Sequence, residues 1–77
     1  MHYVYVLKNR ANGEVYYSYT NNLKRCLKDQ DIDNKWKFIY CEGYASELNA
    51  RERERKLKHY GETRTHLKNR IRRSLQL

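Results

Sequence analysis

Apolar and polar positions alternate over the first twenty residues, and the period then lengthens to that of a helix. His2 to Lys8 and Glu14 to Thr20 are rich in β-branched and aromatic residues and flank Asn12-Gly13, so the pattern predicts a β-hairpin. With a two-residue loop, Leu7 falls opposite Ser18 and Tyr5 opposite Thr20. Alternation then brings Tyr3, Tyr5, Leu7, Tyr16, Ser18 and Thr20 to one face of the sheet. Leu23, Cys26, Leu27 and Gln30 recur at i, i+3, i+4 and i+7, which predicts a helix capped by Thr20 or Asn21. That stripe faces inward and leaves Lys24, Arg25 and Lys28 to solvent. Asp31 to Asn34 reads as a turn, and Trp36 to Glu42 as a third strand ended by Gly43.

Ser46 is placed to cap a second helix that runs to about His59 and stops at Gly61. On it Ala50, Glu54 and Leu57 share a narrow arc with Glu52 nearly opposite, so Glu54 is an acid among apolar positions. A last helix begins near Thr63 and repeats Leu67, Ile71 and Leu75 at i+4 steps. The order is β-β-α-β-α-α. It predicts an α+β fold, a small three-stranded antiparallel sheet flanked by helices, as one domain over residues 1–77.

At 77 residues such a domain buries only about 60% of its unfolded surface. Tyrosine supplies eight of the ten aromatics, which suits a thin core whose rings reach water with a polar tip. The absence of a long apolar run or a basic-then-apolar N-terminus predicts a soluble, cytoplasmic protein without a membrane span. Cys26 and Cys41 have neither CxxC nor Cys/His ligand spacing, so no zinc site is indicated, and the sequence leaves a disulfide between them open.

Charge sharpens the picture. Residues 51–77 carry ten Lys/Arg against three Glu, and residues 1–50 seven against six, so the C-terminal third holds +7 of the net +8. Arg51-Glu52-Arg53-Glu54-Arg55 invites intrahelical ion pairs, but Lys68, Arg70, Arg72 and Arg73 have no acid to balance them. A basic surface of this kind points to a polyanion, and nucleic acid is the expected partner.

The hairpin text Tyr3 to Leu7, the run Tyr16 to Leu23 and the helix Ala50 to Lys58 together resemble the small single-domain bacterial members of the GIY-YIG nuclease family. The resemblance covers nearly the whole chain. It implies a site in which Tyr5 and Tyr16 orient or deprotonate an attacking water and Glu54 holds one Mg²⁺ or Mn²⁺. A hard cation that keeps several waters needs only one or two carboxylates.

The departures fall where the family does its chemistry. Ser18 stands at the family glycine, Cys26 at the arginine and Gln30 at the histidine. A thiol cannot make the bidentate phosphate contact of a guanidinium. By analogy with other phosphoryl-transfer arginines, its loss costs on the order of 10³ to 10⁵ in rate. Gln30 cannot exchange a proton near pH 7 as histidine does, and Arg25, about 100° around the helix, does not replace the missing group.

Three functions follow. The first is a domain that binds the phosphate backbone of nucleic acid, DNA in the first place, through Arg25, Arg51, Arg53, Lys58, Lys68 and Arg70, with cleavage lost or strongly reduced. The second is an active metal-dependent endonuclease using Tyr5, Tyr16 and Glu54. The third is a dimeric interaction module; the chain itself is expected to be a monomer or a weak homodimer.

Overall fold

The tyrosine-rich hairpin forms the middle and one edge of the sheet. The computed structural model describes residues 1–33 and 35–76, with 29–33 described through the backbone alone. Strand β1 (His2–Asn9) is central, β2 (Val15–Thr20) pairs with it on one side and β3 (Trp36–Tyr44) on the other, both antiparallel. Helix α1 (Leu23–Asp33) packs on one face of this sheet; α2 (Glu47–His59), α3 (Gly61–Arg70) and the short α4 (Arg72–Leu75) lie on the other. The fold is α+β in the expected order, with the last helix divided at Ile71.

The hairpin register differs from the two-residue reading. Tyr5 pairs with Ser18 and Leu7 with Tyr16, because the loop spans four residues. Asn9 organises it: its side-chain Oδ1 accepts the Ala11 and Asn12 amides at 2.8 and 3.1 Å. Its carbonyl accepts the Gly13 amide at 2.9 Å. Asn12-Gly13 alone implies a two-residue turn, whereas the upstream Asn9 side chain sets a longer one. The shift is by two residues, an even number, so every side chain keeps its expected face. Gly13 has φ +75°, and Gly13→Ala is expected to cost about 1 kcal/mol by urea denaturation, since a Cβ strains this conformation.

The start of α1 also differs. Asn22 is its cap, with Oδ1 accepting the Arg25 amide at 3.0 Å, while Thr20 bonds Asn22 rather than the helix. The segment expected to turn after Gln30 continues as helix to Asp33; polarity without Gly or Pro does not stop a helix. Asn34 lies outside the described residues. Cys26 is buried as expected, but Leu27 is 39% exposed, because the stripe is centred on Cys26.

Strand β3 runs through Gly43 to Tyr44. This glycine lies opposite Tyr3, and a Cβ there would come within 3.1 Å of Met1 and 3.3 Å of Tyr3, so packing explains it and no strand end does. A β-bulge at Ile39 sets Val6 opposite Tyr40 but Leu7 opposite Phe38. The extra residue resets the alternation, so that Trp36 and Phe38 join Cys41 on the α1 face.

Two cores result. On the α1 face Tyr5, Leu7 and Cys26 are buried with Trp36, Phe38 and Cys41 against them. On the other, Val4, Val6 and Tyr17 meet Ala50, Leu57, Leu67 and Ile71. Helix α2 is capped as expected, Ser46 Oγ accepting the Asn49 amide at 3.3 Å. Gly61 does not stop it by a left-handed turn. The chain leaves the helix at the extended Tyr60, and Gly61 already opens α3. No helix among the described residues is long and apolar enough to cross a membrane.

Candidate functional site

Because β2 is an edge strand, residues from both faces of the sheet meet around it. Tyr5 and Ser18 are cross-strand partners on the α1 face, as are Leu7 and Tyr16. Tyr5 is 9% exposed and stacks on Phe38 with centroids 6.1 Å apart. Tyr16, at 46%, opens to solvent and leans on Trp36 at 5.9 Å. From the opposite face α2 reaches the same edge: the Lys58 ammonium lies 5.9 Å from the Tyr16 ring centroid, and the Arg51 guanidinium sits 3.7 Å over the Tyr19 ring.

Glu54 lies between these two cations. Its carboxylate is 3.1 Å from Lys58 Nζ and 3.8 Å from Arg51 Nη1, and its side chain is 17% exposed. Both contacts follow from i+4 and i−3 spacing on one helix. The structure thus gathers Tyr16, Glu54, Lys58 and Arg51 at the β2 edge, with Tyr5, Ser18 and Cys26 behind them under α1. Gln30 belongs to α1, but its side chain lies outside the described residues.

The surroundings of Tyr5 disfavour it as a general base. Burial is the main influence on the Tyr5 phenol and raises its pKa; Ser18 lowers it, Cys26 and Tyr16 raise it further, and the balance is above the ordinary value. A phenol pushed up in this way keeps its proton at neutral pH and serves as a hydrogen-bond donor, whereas a general base needs a pKa near the working pH. Cys26 fills the space beside Tyr5 with a small apolar group rather than a cation. Both cysteines are free thiols, and burial pushes the Cys41 thiol up.

The donor set at Glu54 fits a divalent metal poorly. It offers one carboxylate with two cationic side chains within 4 Å, and no group of three or more His, Cys, Asp or Glu gathers among the described residues. A metal there would have to displace Lys58 and bear the repulsion of Arg51.

Of the basic residues, Arg25, Arg51, Lys58, Lys68 and Arg70 are exposed. Arg70 to Arg73 line an open hollow of about 270 Å³ where α3 meets α4. Arg53 departs from expectation. Its guanidinium donates to both Glu42 oxygens at 3.0 and 3.1 Å and is withdrawn from the surface. Tyr40 and Tyr44 donate to the same carboxylate. Within the repeated Arg-Glu text no local signal separates Arg53 from Arg51 or Arg55, because its partner lies on β3. Compared with models of protein families, with curated proteins and with solved structures, the chain matches none.

Proposed function

We propose that this chain is a GIY-YIG-like domain that holds nucleic acid by its phosphate backbone without cutting it. The observation that carries this reading is the pairing of Glu54 with Lys58 and Arg51. Glu54 is engaged by Lys58 and by Arg51, which also reaches Glu47 at 3.8 Å, and a carboxylate neutralised in this way disfavours a metal and repels an incoming phosphate less. The neutral Tyr5 phenol and the thiol at the family arginine position support the same conclusion, and Tyr16 offers an exposed ring beside Lys58 on which a base can stack. Exposed Arg25, Lys68 and Arg70 extend the positive surface. Such contacts read phosphate and sugar rather than sequence.

The test combines binding and cleavage on labelled duplex DNA. The logarithm of the binding constant is expected to fall linearly with the logarithm of salt concentration. Lys68→Gln with Arg70→Gln is expected to reduce the magnitude of the slope by about 1.8, at about 0.9 per lost phosphate contact. With Mg²⁺ or Mn²⁺ the DNA is expected to stay intact. Cutting that Glu54→Gln abolishes would establish the competing reading, a metal-dependent endonuclease using Tyr5 and Tyr16. Salt-insensitive or absent binding, together with concentration-dependent self-association, would favour an interaction module.

A further inference from the structure

A second group of cations stands at the hairpin end of the sheet, joined to the basic helices only through the Lys8 bond to α4. Lys8 and Lys37 lie directly opposite each other across β1 and β3, and the residue opposite Lys8 on β2 is Val15. Beyond the strand ends the Arg10 amide donates to the Lys35 carbonyl at 2.8 Å, which brings two further basic residues to the same place. Between them is a hollow of about 320 Å³ lined by Lys8, Asn9, Arg10, Gly13 and Lys37. Arg10 also borders an adjoining hollow of about 450 Å³ with Lys35.

Among the described residues no acid balances this concentration of charge. Like charges directly opposite one another weaken a strand pair, and Glu14 is the single acid between residues 8 and 15. Among the described residues none of the four cations joins an ion pair. Lys8 has a partner of another kind: its ammonium donates to the Leu75 carbonyl at 2.6 Å and so holds the end of α4, the helix that carries Arg72 and Arg73. The α4 bond explains why Lys8 is a lysine; among the described residues Arg10 and Lys37 have no ion-pair partner.

An anion seated over the sheet, between the Lys8 and Lys37 side chains, would turn their repulsion into attraction on both sides. The guanidinium of Arg10 at the rim is suited to a tetrahedral oxyanion.

We infer that the hollow formed by Lys8, Arg10 and Lys37 is a phosphate site that takes a backbone phosphate of the bound strand. This rests on the nucleic-acid reading above and extends it to a second anchoring point that the C-terminal basic helices do not supply.

The experiment compares the full chain with Arg10→Gln/Lys37→Gln, leaving Lys8 to hold α4. Thermal melting with sodium pyrophosphate at constant ionic strength is measured beside the salt dependence of duplex binding. Without ligand the variant is expected to melt no lower than the wild type, since a repulsion has been removed. Pyrophosphate is expected to raise the wild-type melting temperature by several degrees and to leave the variant nearly unmoved, because only a folded-state site gives such a shift. The variant's salt slope is expected to be shallower by about 1.8.

An equal pyrophosphate shift in both proteins would overturn the site and leave the nucleic-acid reading standing. A lost shift with an unchanged salt slope would overturn the strand-phosphate assignment. A wild type that binds no DNA yet shows the Arg10- and Lys37-dependent shift would assign the hollow to a free phosphate ligand and remove the nucleic-acid reading instead.

Discussion

Leu57→Ala is expected to remove a large share of this domain's stability at 25 °C. Leu57 is fully buried at the centre of the larger core, where α2 presents it beside Ala50 to Val4, Val6 and Tyr17, with Leu67 and Ile71 closing the other side. Truncating a leucine in such a place removes its transfer free energy and leaves a cavity that the neighbours fill only in part, a cost of about 3–4 kcal/mol. A chain of 77 residues has on the order of 4–12 kcal/mol in total. The loss is therefore a large share of what is available. Urea denaturation followed by circular dichroism checks it: the midpoint should fall steeply while the m-value stays close to that of the wild type. A fall below about 1 kcal/mol would mean that the two faces of the sheet fold with little dependence on the α2 contact. Leu57→Met, which nearly conserves volume, is expected to cost less than about 1.5 kcal/mol.

The features legible in the sequence are those that local geometry decides. Tyr5, Tyr16 and Ser18 share a face because side chains alternate along strands, and an error of two residues in the loop left that face unchanged. The Ser46 cap, the buried Ala50 and Leu57, and the apolar Leu67 and Ile71 follow from the period of a helix. The pairing of Glu54 with Lys58 and Arg51 follows from i+4 and i−3 spacing on one helix. What stayed hidden depends on partners distant in the chain. The bulge at Ile39 exists only relative to β1. Lys8 and Lys37 become a like-charge pair only once β3 is in register, and Arg53 is distinguished from its neighbours only by Glu42 on another element. Gly43 and Gly61 illustrate a further limit: each reads as an element end in one dimension, yet one lies within a strand and the other opens a helix.

Glu42→Gln is expected to cost about 2–3 kcal/mol at pH 7 and to remove most of the acid sensitivity of the fold. The side chains of Glu42 and Arg53 are 14% and 23% exposed, so breaking the pair costs somewhat less than the ~3–5 kcal/mol of a fully buried one. Burial by itself would raise the Glu42 carboxyl. Hydrogen bonds from Arg53, Tyr44 and Tyr40 outweigh it and hold the carboxyl below the usual range. A group whose folded pKa is depressed contributes stability above its unfolded value, about 4.3 for glutamate, and that contribution disappears as pH falls through the folded value. The wild-type urea midpoint should therefore drop below about pH 4, and the Glu42→Gln midpoint should be lower at neutral pH but flatter through the acid range. The alkaline limb has the opposite sign. Burial first, and then the bond to Glu42, push the Tyr44 phenol up to about 12, so its contribution is complete below about pH 10 and is lost as pH rises through the folded value. In the variant the burial remains but the carboxylate does not, so Tyr44 should ionise at lower pH in an ultraviolet titration. An acid limb identical in wild type and variant would show that the carboxylate is not its source. The same pair connects stability to the site: Arg53 fixes α2 against β3, and the adjacent Glu54, with Arg51 and Lys58 on either side, is thereby turned toward the β2 edge. On the nucleic-acid reading proposed above, Arg53→Lys, which keeps the charge but loses the fork, should then weaken DNA binding although the Arg53 guanidinium is engaged with Glu42.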